Sequence, residues 1–69
     1  MNLDTIRNTL NSYLYQEKNF LYMGMRGQNE LFHGKIIHIY PRTFLVETDD
    51  HILKSFSYSD FATRILKIV

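Results

Sequence analysis

From Asn19 onward the chain is a succession of short apolar or β-branched runs, each broken by a turn signal, and this punctuation constrains the fold more than any other feature. Phe20 to Arg26 mixes aromatic residues with methionine and then meets Gly27-Gln28-Asn29. Glu30 to Tyr40 is too long for a flat strand in so small a protein, and Gly34 lies inside it, where a missing Cβ permits a bend or bulge. Pro41 has no N–H to offer a ladder and opens a turn with Arg42. Thr43 to Thr48 is a β-branched and aromatic strand, Asp49-Asp50 a tight turn, and Ile52 to Phe56 a fourth strand. The hydroxyls and carboxylate of Ser57-Tyr58-Ser59-Asp60 predict a turn or one-turn 3₁₀ helix, and Arg64 to Val69 ends the chain as a fifth strand.

The segment before these strands follows a different period. Leu3, Ile6, Leu10, Tyr13 and Leu14 form one helical stripe with Arg7, Asn8, Asn11 and Ser12 opposite, and Asn2 or Asp4 can cap its start. The expectation is a helix at about 3–15 and strands at about 19–26, 30–40, 43–48, 52–56 and 64–69. That order predicts a mainly β fold, a strongly bent five-stranded antiparallel barrel of the Sm-like or SH3-like kind with a capping helix. Closure limits the exposed edges that a flat five-stranded sheet would have. Gly34 is expected at the bend, with Ile36, Phe44, Val46 and Phe56 buried together.

With 69 residues there is room for a single domain, 1–69, that buries roughly 60% of its surface. An apolar fraction of 45%, with five Phe and five Tyr, supplies a core and excludes a disordered tail. The chain has no cysteine, no run of about 18 apolar residues and no signal-peptide pattern, so a cytoplasmic protein without membrane contact is expected. Eight basic against seven acidic side chains give a net charge of +1, which argues against binding phosphate backbones by bulk electrostatics.

Few side chains suggest chemistry. His33, His38 and His51 are the metal candidates, but His33 and His38 point to opposite faces of a regular strand unless a bulge at Gly34 intervenes. The acidic group Glu47, Asp49 and Asp50 lacks the glycine-bearing loop that would wrap Ca²⁺. Ser55, Ser57, Ser59 and Asp60 have the atom types of a hydrolase without a strand–elbow–helix motif, and Asp60 is expected to accept from N–H groups of its own turn. No catalytic residue, metal or cofactor is therefore expected. Phe20, Phe44 and Phe56 are core candidates, while Tyr22, Tyr40 and Tyr58 are the candidate partner surface. Lys18, Arg26 and Lys35 are the candidate contacts if nucleic acid is bound, with weak binding expected. Both parities of the last strand are apolar (Ile65 and Val69, Leu66 and Ile68), which predicts burial under the helix or pairing with another copy as a homo-oligomer, such as a dimer.

Two blocks carry a family resemblance. Gly34 is followed by Tyr40-Pro41, then by Phe44 and Val46 in the next strand, and Ser57-Tyr58-Ser59-Asp60 is followed by Thr63. In this order, after a helix beginning near Leu3, they resemble the Veg family of small Firmicute proteins from Asp4 to Thr63. The resemblance implies an Sm-like fold and a role in biofilm formation and transcription regulation, through protein binding that relieves a DNA-binding repressor. Family members commonly carry a basic run in the hairpin before the glycine, where this chain has Gly27-Gln28-Asn29-Glu30-Leu31-Phe32-His33. The alternative expectation is a small Sm-like RNA- or DNA-binding protein.

Overall fold

The first helix starts at Asn2, whose backbone is extended and whose side-chain oxygen accepts the Thr5 N–H at 2.8 Å. The computed structural model describes residues 2–24 and 27–69. Helix α1 spans Leu3–Ser12 and buries Ile6 and Leu10. It ends before the apolar stripe does, because the next residues already belong to the sheet. Tyr13 caps the helix, Leu14 bridges to Ile36, and Tyr15 turns the chain at φ 63° while its N–H donates to the Ile36 carbonyl at 2.8 Å.

Five strands follow: β1 (Glu17–Met23), β2 (Asn29–Ile39), β3 (Thr43–Thr48), β4 (Leu53–Ser57) and β5 (Leu66–Ile68), with helix α2 (Tyr58–Ala62) before the last. They form an antiparallel sheet in the order β4-β3-β2-β1-β5, so the mainly β order of helix and strands is as expected. The closed barrel is not formed, because β4 and β5 are the two edges of an open sheet. The sheet is nevertheless curled: Tyr22 on β1 and Phe56 on β4 have ring centroids 5.5 Å apart although two strands separate them. Strand β1 starts at Glu17 and ends at Met23, so the strand expected to run on through Gly24 stops before it; the rest of that expectation, to Arg26, lies outside the described residues.

Three local expectations are corrected. The register shift of β2 lies between Ile36 and His38, not at Gly34. Gly34 sits in regular pairing opposite Thr48, and a Cβ there would lie 2.5 Å from the Glu47 carbonyl oxygen. The glycine is needed for close approach of β3, not for a bend. Ser57 to Asp60 opens an α-helix in place of a 3₁₀ turn, through a capping box in which Ser57 and Asp60 each accept the other's N–H. Strand β5 is shorter than expected, since α2 and its cap run to Thr63 and Arg64 then turns the chain at φ 62°.

The core lies between the concave face of the sheet and the two helices. It joins Ile6, Leu10, Phe20, Ile36, Phe44, Val46, Phe56, Tyr58 and Leu66, so the four residues expected to be buried together are so. Stacked aromatic pairs, Phe20 on Phe32 at 5.2 Å and Phe32 on Phe56 at 5.9 Å, carry the core across β1, β2 and β4. Leu66 and Ile68 face this core, leaving Ile65 and Val69 exposed. Among the described residues no helix is long and apolar enough to cross a membrane.

Candidate functional site

The convex face of the sheet collects its polar groups around His33. Asn19 is opposite His33 in the β1–β2 ladder, and Glu17 is two residues earlier in β1, on the same face. On the other side Thr48 pairs with Gly34, so the next residue, Asp49, comes opposite His33 and donates its N–H to the His33 carbonyl at 3.2 Å. Gly34 permits this approach, because β3 passes where a Cβ would stand.

His33 Nδ1 lies 2.9 Å and 3.0 Å from the two carboxylate oxygens of Asp49, with both side chains partly exposed. One ligand atom from each of Glu17, His33 and Asp49 lies within 4.8 Å of the other two. The hydrogen bond to Asp49 raises the His33 pKa above its ordinary 6.5, and the negative charges of Asp49 and Glu17 add to the effect against some loss of solvation. Lys35 stands opposite both Glu17 and Glu47 in the ladders but forms no ion pair among the described residues.

The other histidines remain separate from this group. The bulge after Ile36 does return His38 to the face of His33, yet His38 pairs with Leu45 and stacks on Tyr40 at 5.8 Å. His51 occupies the left-handed region at φ 64° in the β3–β4 turn, 3.7 Å from Glu47. The sequence pattern places Asp49 with Glu47 and Asp50 and pairs His33 with other imidazoles, whereas the fold brings Asp49 and Glu17 to His33. Their signal was the strand register, which spacing along the chain does not specify.

Tyr40 is exposed, Tyr22 is half-buried, and Tyr58, expected at the partner surface, is buried at 1% exposure. Its O–H donates to the Tyr40 carbonyl and its N–H to the Arg42 carbonyl at 3.0 Å, so it fastens the Pro41 turn from inside. Tyr22 lines a pocket of about 310 Å³ with Glu30, Lys54, Ser55, Phe56 and Asp60. Lys54 bridges Glu30 at 2.7 Å there and lies over the Phe32 ring. Of the nucleic-acid candidates, Lys18 lies over the Tyr13 ring, and Lys35 occupies the other face of the sheet, since the two meet adjacent positions of the same ladder. Arg26 is outside the described residues. Ser57 and Asp60 are both engaged in the capping box, which leaves no free Ser–Asp pair at that position.

The convex face also carries leucines. Leu21 and Leu31 are directly opposite one another, Leu31 is 70% exposed, and Leu53 on β4 is 57% exposed. No protein-family model matches the chain, and no characterised protein matches it in sequence.

Proposed function

We propose that the chain is a non-enzymatic regulatory interaction protein of the kind its resemblance to the Veg family implies, acting by contact with another protein. The observation that carries this reading is the convex face, where Leu31 on β2, opposite Leu21, and Leu53 on the edge strand β4 stand exposed. A transcriptional repressor is the partner class that the resemblance implies, with biofilm formation as the process. The fold we read as an Sm-like barrel left open between β4 and β5. The order of elements and the approach of Tyr22 to Phe56 support it. Non-enzymatic action is supported by the capping role of Ser57 and Asp60. Self-association belongs to the same proposal, because Ile65 and Val69 remain exposed beside the edge strand β5.

Nucleic-acid binding is the weaker alternative, since Lys18 and Lys35 face opposite sides of the sheet. The test compares the wild type with a Leu31→Glu, Leu53→Glu double variant in a pull-down of the repressor fraction from the native cytoplasm. Oligonucleotide titrations at low and physiological salt run in parallel. A protein retained by the wild type and lost with the folded variant, together with oligonucleotide binding that disappears at physiological salt, supports the reading. Tight oligonucleotide binding that survives physiological salt and is lost in a Lys18, Arg26 and Lys35 triple alanine variant would replace it with the alternative.

A further inference from the structure

The geometry points to a binding site for a divalent transition-metal ion formed by Glu17, His33 and Asp49. These residues come from three separated segments: the start of β1, the middle of β2 and the turn after β3. The ladder sets them on one face, and the missing side chain of Gly34 lets the third segment close in. Metal–nitrogen and metal–oxygen bonds of about 2.0–2.2 Å place neighbouring ligand atoms roughly 3.0–3.5 Å apart. The imidazole and carboxylate of His33 and Asp49 already stand at 2.9 Å and 3.0 Å, the spacing of neighbouring ligands, so an ion takes the place of the Nδ1 proton between them, which is released to solvent. Glu17 contributes a third oxygen within 4.8 Å and has no competing ion pair among the described residues.

The donor set decides the class of ion. One nitrogen and two carboxylates fit Zn²⁺ or Mn²⁺, whereas Ca²⁺ takes six to eight oxygens. The partial exposure of His33 and Asp49 leaves room for water to complete the coordination. The site thus has the open arrangement in which an ion either holds an exogenous ligand or links this face to a carboxylate or imidazole from another chain.

Calorimetric titration of the full chain with ZnCl₂ near neutral pH tests the inference, with imidazole ¹⁵N shifts recorded on the same samples. The expected result is one saturating equivalent of Zn²⁺, a shift of the His33 resonance, and at least tenfold weaker binding in both His33→Ala and Glu17→Gln. His51→Ala, which removes the neighbouring imidazole outside the cluster, should bind as the wild type does. All three positions are at the surface, and circular dichroism confirms that each variant is folded. The absence of saturable binding, wild-type affinity in His33→Ala, or an equal loss in His51→Ala would overturn it.

Discussion

At the Thr43 end β3 is held by a buried tyrosine, whereas at the Thr48 end it is held close through a missing side chain and ends in charged groups at the surface. Tyr58 is enclosed, packs against Phe44 at a ring separation of 6.5 Å, and donates both its O–H and its N–H to the turn that leads into the strand. At the other end Gly34 provides the clearance, and the His33–Asp49 contact forms where water reaches both partners. Buried hydrogen bonds are expensive to leave unmade, while exposed ion pairs contribute about 0–1 kcal/mol. The Tyr58 end therefore supplies stability through buried bonds, whereas the polar groups at the Thr48 end can be exchanged for a ligand at little cost to the fold.

The most damaging substitution should be Gly34→Val. A Cβ at 2.5 Å from the Glu47 carbonyl requires β3 to move, which should cost about 3 kcal/mol or more in urea denaturation. A midpoint equal to that of the wild type would show that β3 does not depend on this clearance. Tyr58→Phe keeps the ring and removes the O–H, leaving the Tyr40 carbonyl without that donor, and should cost about 1–3 kcal/mol in the same assay. A loss well below that would make the buried hydroxyl incidental.

A smaller effect of opposite sign is expected in the β3–β4 turn. His51 sits at φ 64°, with its N–H on the Thr48 carbonyl at 2.9 Å, the geometry in which a hairpin favours glycine. His51→Gly should therefore stabilise the chain by about 0.5–1 kcal/mol. Unchanged or lower stability would mean that the His51–Glu47 contact outweighs the backbone strain.

The smallest effect separates the two ends by pH. Asp49 raises the folded-state pKa of His33, so the contribution of this contact is fully present below the unfolded value near 6.5 and is lost as pH rises through the folded value. With a chelator present, imidazole titration by NMR should give His33 a pKa above 6.5, and Asp49→Asn should lower it. An unchanged pKa in that variant would remove Asp49 as the cause.

Much of the fold was legible because turn chemistry is local: Pro41, Asp49-Asp50 and the Ser57 cap mark strand ends within two or three residues. Gly34 stands out in the sequence but its role does not, since a glycine serves a bulge and a close approach equally well, and only the position of β3 distinguishes them. The burial of Tyr58 was within reach. The inward alternation of Lys54 and Phe56 continues to it, but an apparent surface turn of serines concealed the pattern. The cluster around His33 was not legible, because Glu17, His33 and Asp49 share a face only once the pairings of Asn19 with His33 and of Gly34 with Thr48 are known.

Native-state hydrogen exchange tests the contrast between the two ends of β3 most directly, since it reads the opening free energy of each amide. The Tyr58 and Tyr40 N–H groups, bonded to the Arg42 and Thr43 carbonyls, should exchange only through global unfolding. The Asp49 and His51 N–H groups, bonded to the His33 and Thr48 carbonyls, should exchange through local opening at clearly lower free energy. Protection of Asp49 and His51 equal to that of Tyr58 would contradict the account, because the charged end would then be as firmly built into the fold as the buried one.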